Sequence, residues 1–321
     1  MSQRIQHFNR RVPAPFRYLI AGLAGLLLWM YILPGVLLGA ELLRDRYTGQ
    51  RVQCPASRLA LMRTAELEFE WALLKNQLTY KKVESDPKLP LDLVSGPSRP
   101  FWLERSGDLR DSKELLAYLE AELATISAAD SWFDVRPGDT VIDCGAHVGT
   151  FTLHALERGA AKVVAVEPNP NNVECLRRNF KNEIATGRVV VVPEGVWDKK
   201  STMDLFIGAQ NSGAHSMIYN QGLGSIKVPV DTIDHLRARL HLAKVDFIKT
   251  DIEGAERNAL RGARETLRLY RPRLRMDANH REDDIQMLPA VARQGNPEYK
   301  VHCGYCETAY NEFRPHVLLL D

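Results

Sequence analysis

From Asp139 onward, short β-branched runs alternate with helix-patterned stretches, and few folds accept that order. "TVIDC", "KVVAVE", "RVVVV", "VDFIK", "RLRMDA", "YKVHC" and "HVLLL" read as strands. Between them, "GTFTLHALERG", "NPNNVECLRRNFKN", "DTIDHLRARLHL", "GAERNALRGARETLRL" and "EDDIQMLPAVARQ" read as helices. Such alternation predicts a parallel sheet covered on both faces. Strands such as "VVAV" are apolar throughout, as a sheet buried on both sides requires. Met203 to Val230 breaks the alternation, with short strands around "GAQNSGAHS".

The first half is different. Tyr18 to Ala40 contains no charged residue and is long enough to cross a bilayer core of about 30 Å. Pro34-Gly35 should kink or turn it. A retained transmembrane anchor is the preferred reading; a signal peptide ending at "LLGA" and a buried core helix are the alternatives. Arg4, Arg10, Arg11 and Arg17 precede the run, and Arg44, Arg46, Arg51, Arg58 and Arg63 follow it, so charge does not set its orientation. Arg58 to Lys82 carries apolar residues at helical spacing. Pro87, Pro90, Pro97 and Pro100 mark residues 88–100 as a linker. "DSKELLAYLEAELATI" predicts a packing helix capped by Asp111 or Ser112. The organisation expected is a tail (1–17), an anchor (18–43), a helical spacer with linker (44–110) and one catalytic domain (111–321).

A net charge of +2 gives no reason to expect a nucleic-acid partner. Five cysteines in 321 residues do not look like a disulfide framework and suit a reducing compartment. Cys303 and Cys306 lack the second ligand pair a structural zinc needs, so free thiols are expected there.

"VIDCGAHVGTFT" joins the first strand to the first helix, where open α/β sheets bind ligands. Asp143 ends the strand; Gly145, Ala146 and Gly149 shape the turn. His147 and Thr150 stand where a dinucleotide fingerprint needs glycines, which disfavours a dehydrogenase and suits a ligand without pyrophosphate. Glu167, after the second strand, can accept hydrogen bonds from ribose hydroxyls of either NAD or S-adenosylmethionine.

"DIEGAE" crowds Asp251, Glu253 and Glu256 after "VDFIK". A helix start accounts for Glu256, and partly for Glu253, through the macrodipole, or Glu256 pairs with Arg257 or Arg261 on the helix surface. Asp251 ends a strand, where such enzymes place chemistry. His280 is the best histidine candidate, flanked by Asp277 and Asn279. A Mg²⁺-type site from Asp251, Asp277 and His280 is chemically allowed, but no metal is expected.

"VIDCGAHVGTFT", "AVEPNP", "VPVDTIDHL" and "FIKTDIEGAERNALRGARETLRLYRPRL" together resemble the S-adenosylmethionine-dependent methyltransferases of the FkbM family. The resemblance spans about Asp139 to Asp284. It implies the class I methyltransferase fold, a Rossmann-like seven-stranded sheet whose last strand is antiparallel. It also implies S-adenosyl-L-methionine as cofactor, held by Asp143, Gly145, Ala146, Gly149 and Glu167, with Glu194, Gly195 and Val196 bordering the adenine. Asp251, His280 and Glu253 are then the catalytic candidates. The expected activity is O-methylation of a hydroxyl on a sugar, glycolipid or secondary metabolite, the acceptor being a small molecule or lipid-linked glycan at a membrane. The donor is cytosolic, so the catalytic domain is expected on the cytoplasmic side. A nucleotide-dependent oxidoreductase and an inactive membrane-tethered binding module are the rivals. The sequence does not indicate an oligomeric state.

Overall fold

The computed structural model describes residues 22, 25, 54, 69–76, 79–97, 99–105, 111–208, 212–310 and 312–321. The transmembrane anchor expected over 18–43 lies outside these residues, apart from Gly22 and Gly25, as does the first part of the helix expected from Arg58. Among the described residues, no helix is long and apolar enough to cross a membrane.

Strands β4 (Thr140–Cys144), β5 (Lys162–Val166), β6 (Val189–Val192), β10 (Phe247–Thr250), β11 (Arg273–Asp277), β12 (Val301–Cys303) and β15 (Val317–Leu320) form one seven-stranded sheet. Its order is β12-β15-β11-β10-β4-β5-β6. β11, β10, β4, β5 and β6 run parallel, while β15 enters antiparallel between β11 and β12. The antiparallel last strand agrees with expectation.

Residue alternation sends neighbouring side chains to opposite faces. Val141 and Val163 join one core with α1 (Ser112–Ala129), α2 (Thr150–Glu157) and α3 (Pro170–Asn179). Ile142 and Val164 join the other with α5 (Ile233–Arg239), α6 (Glu256–Arg261), α7 (Arg264–Tyr270) and α8 (Asp284–Ala292). A short helix, α4 (Lys181–Ala185), follows α3. The region that broke the alternation forms a small sheet of β7 (Gly195–Val196), β9 (Ser225–Asp231) and β8 (Ser201–Phe206).

Three expectations are corrected. First, the supposed linker holds β2 (Leu91–Ser95), which with β1 (Lys81–Ser85) and β3 (Phe101–Glu104) makes an antiparallel sheet. Leu91, Val94, Phe101 and Leu103 are fully buried. Pro90 and Pro100 immediately precede strands, where a missing N–H is tolerated. Buried Asp92 accepts hydrogen bonds from Ser85 and Ser112, tying β2 to the start of α1. Second, the single long helix expected after β10 is two helices, and it starts at Glu256 rather than at Gly254. Third, Cys306 is not a free thiol: it forms a disulfide with Cys54, at a Cα–Cα distance of 6.6 Å. It lies in a hairpin, β13 (Cys306–Ala309) and β14 (Glu312–Pro315), that the sequence did not announce.

Candidate active site

A cavity of about 530 Å³ opens at the carboxyl ends of β4, β5, β10 and β11. Its floor is the loop after β4. Gly145 has φ +76°, and an added Cβ would stand 1.9 Å from the Asp251 carbonyl oxygen. Only glycine fits there, because the loop and the end of β10 touch backbone to backbone. Gly149, at φ +98°, caps α2 against Phe180. Asp143 lies beneath the loop, fully buried, and accepts a 2.7 Å hydrogen bond from Thr152.

Glu167 organises the loop from β5. Its Oε2 accepts from the backbone N–H of His147, and its Oε1 from that of Asn169, both at 2.9 Å. Burial raises its pKa, and those bonds oppose the shift. Oε1 also accepts a longer bond from Asn172 at 3.4 Å, so Oε2 keeps the open lone pair for a ribose hydroxyl. His147, in the left-handed region at φ +50°, holds Ser212 across the cavity at 2.7 Å. Burial lowers the pKa of His147 to about 4, so the ring is neutral at physiological pH. Gly195 and Val196 line the cavity with Ala146. The Glu194 carboxylate does not: Arg239 grips it with two 2.9 Å hydrogen bonds. Of the expected adenine border, the structure brings two of three residues to the cavity.

Lys249 is the central cation, and it was not singled out from the sequence. Its Nζ donates to the Gly145 carbonyl at 3.1 Å. It also lies 3.4 Å from Asp251 Oδ2 and 3.7 Å from Asp143 Oδ1. Burial disfavours its charge, but Asp251 and Asp143 overcome this and raise its pKa. Burial likewise raises Asp251, and Lys249 with His280 reverses the shift, leaving it lowered. A lysine directly after the apolar pair Phe247-Ile248, inside a strand, was the available signal.

The three acids of "DIEGAE" separate. Asp251 follows β10 and is partly open to the cavity. Glu253 is not in a helix: it occupies a left-handed turn at φ +52° beside Gly254 at φ +94°. Its own carbonyl accepts from Ser216 Oγ at 2.7 Å. Burial, opposed by His280, raises its pKa to about 7. Glu256 is fully buried, so the surface pair with Arg257 or Arg261 is corrected. Its Oε1 accepts from the Ile252 backbone N–H at 2.9 Å and pairs with His280 Nδ1 at 3.1 Å. Arg257 instead pairs with Asp283 and Asp284.

His280 therefore presents Nε2 to the cavity, 3.6 Å from Glu253 Oε2 and 3.9 Å from Asp251 Oδ1. Burial works against its charge, but Glu256, Glu253 and Asp251 raise its pKa to about 10. At neutral pH the ring is an imidazolium, a proton donor rather than a base. Asp277 does not join this group. It lies 3.3 Å from His316, whose other nitrogen is 2.9 Å from Glu307. The loop bearing His280 is held by the fully buried Arg314, which donates to the carbonyls of Ala278, Arg281 and Glu282.

The far wall comes from α1 and the segment around β13. Tyr118 donates a 3.0 Å hydrogen bond to Glu122, whose pKa burial raises to about 7. Tyr305, Glu307 and His316 face the same cavity.

A mixed sheet with one antiparallel strand and a glycine-loop cavity at its carboxyl edge defines a class I methyltransferase-like α/β fold. The profile of the Methyltransferase FkbM domain matches residues 143–305, half of the chain, and the protein belongs to that family. No curated protein matches this chain. Among solved structures it is similar to the methyltransferase FkbM of Methylobacillus flagellatus KT, at 20% identity and TM-score 0.43. That match covers 66% of this chain and 56% of the other, so this chain spans little more than half the length of that relative. It is also similar to precorrin-6y C5,15-methyltransferase of Geobacter metallireducens GS-15, at 15% identity and TM-score 0.35, covering 61% of this chain and 86% of that one.

Proposed function

We propose that this methyltransferase moves a methyl group from S-adenosylmethionine to a hydroxyl on a sugar, glycolipid or secondary metabolite, close to a membrane. One observation carries the reading. Glu167, the Gly145 turn and Asp251 belong to three separate elements yet converge on one cavity. Gly145 lets the turn press directly against the end of β10, and Glu167 keeps acceptor capacity for ribose hydroxyls. Those features fit the donor's nucleoside.

Bound S-adenosylmethionine supplies an electrophilic methyl group on a sulfonium. The Gly145 loop and Glu167 orient the nucleoside. Lys249 keeps Asp251 ionised beside the loop and opposes the rise that burial imposes on Asp143. Asp251 and Glu253 take the proton the acceptor hydroxyl gives up. The S–C bond breaks as the O–C bond forms, leaving a neutral thioether and an ether. Acceptor contacts are assigned to Tyr118, Glu122, Glu307 and the 212–215 segment. Profiling a deletion strain fed labelled methionine is expected to reveal one methylated lipid or glycan lost with the gene. An unchanged labelled profile would remove this reading.

Residues 18–43 are proposed as a single-pass anchor, with the catalytic domain on the cytoplasmic side where the donor is made. The Cys54–Cys306 bond pulls the other way, since disulfides persist on oxidising faces. Protease added from the cytoplasmic side is expected to digest the C-terminal domain. Digestion only from the periplasmic or lumenal side would reverse the orientation.

A further inference from the structure

The acids at the cavity are arranged for more than proton transfer. Among the described residues, Asp251, Glu253 and His280 offer one ligand atom each within 4.8 Å of one another. These are two carboxylate oxygens and one imidazole nitrogen, from three different backbone positions facing one point.

We propose that Asp251, Glu253 and His280 bind a divalent cation of the Mg²⁺ or Mn²⁺ type, which holds the acceptor hydroxyl. The donor set is oxygen-rich, which favours hard cations over zinc or copper. Asp251 divides its oxygens: Oδ2 faces Lys249 at 3.4 Å, which leaves Oδ1 for the trio. Asp277 is already engaged by His316, so it is not a ligand.

The independent support is Glu256. It is fully buried, and its Oε1 holds His280 Nδ1, so that Nε2 points at Asp251 and Glu253. A carboxylate behind a histidine is the arrangement that orients metal-bound imidazoles and raises their basicity. The other oxygen of Glu256 is buried and meets no hydrogen-bond donor.

The spacing agrees with a site that tightens on binding. Octahedral bonds of about 2.1 Å put neighbouring ligand atoms about 3.0 Å apart. His280 Nε2 is 3.6 Å from Glu253 and 3.9 Å from Asp251. Both carboxylates are partly exposed and can close by that amount. Three protein ligands leave positions for one or two acceptor oxygens, which suits a hydroxyl or a vicinal diol. The cation displaces the Nε2 proton to solvent, lowers the pKa of the coordinated hydroxyl and screens the crowded carboxylates. The hydroxyl proton passes to the uncoordinated oxygen of Glu253, the oxygen takes the methyl group, and the sulfonium leaves as a thioether. Only this last step rests on the methyltransferase reading; the binding itself does not.

The test is a Mn²⁺ titration of full-length, EDTA-stripped protein, following free Mn²⁺ by electron paramagnetic resonance. One saturable Mn²⁺ per chain is expected, displaced by Mg²⁺. Glu253→Gln should weaken it by more than tenfold, and Glu256→Gln by about 10-fold, by loosening the hold on His280 Nδ1. If Glu253→Gln does not fold, Asp251→Asn serves the same comparison. Absence of saturable Mn²⁺, or equal affinity in these variants, overturns the site. S-adenosylhomocysteine titrated in parallel separates the two readings. Its binding to metal-free protein with no Mn²⁺ site removes the cation alone. A Mn²⁺ site without S-adenosylhomocysteine binding keeps the cation and removes the methyl donor.

Discussion

Glu167→Ala is expected to weaken S-adenosylhomocysteine binding by at least about 100-fold, with the fold intact. A hydrogen bond from ribose to a charged acceptor is worth roughly 1.5–3 kcal/mol. Losing about 3 kcal/mol corresponds to a factor of over 100 in affinity. The truncation also frees the N–H groups of His147 and Asn169, which are the anchors of the cofactor loop. Glu167→Gln is a sharper probe. It keeps the shape and one carbonyl acceptor but turns an NH₂ group toward one of those N–H donors. Isothermal titration calorimetry should rank wild type above Gln and Gln above Ala. Wild-type affinity in Glu167→Ala would mean the nucleoside sits elsewhere.

Asp251→Asn should do the opposite: S-adenosylhomocysteine binding within a few-fold of wild type, and turnover lower by about 10²–10⁴-fold. Asparagine keeps the shape of the side chain but cannot accept a proton. Lys249 retains Asp143 and the Gly145 carbonyl, so the loop keeps its cation. Turnover can be read before the acceptor is known, as label passing from S-adenosylmethionine into an extract of cells lacking the protein. Turnover near wild type would move the chemistry to other residues.

Much of this site was readable before any coordinates, for a physical reason. Parallel strands buried on both faces leave a continuous apolar signature, and their carboxyl ends are where polar residues must stop being buried. That placed Asp143, Glu167 and Asp251 at one edge of one sheet. Other features carry no local signature. Asp277 and His316 are 39 positions apart and meet only because β15 enters beside β11. Glu122 lies in a helix whose pattern looks like ordinary packing. The prolines around β2 and β3 resemble a linker because the same residue suits an edge strand and a loop. Glu256 looked like a helix start because acids favour helix starts. Its burial and its bond to His280 depend on the chain returning after β11, which no window around "DIEGAE" contains.

The disulfide sets a working radius. For an apolar run seated in a bilayer and ending at Ala40, Cys54 is 14 residues further on, a leash of at most about 50 Å. Cys306 adjoins Tyr305 and Glu307, which face the cavity, so the bond ties the cavity's rim to that short leash. Without it, the next described contact is Phe69 against Tyr118, and the leash doubles to roughly 100 Å. Were that run seated in a bilayer, the redox state of this one bond would set how far the cavity can stand from the surface.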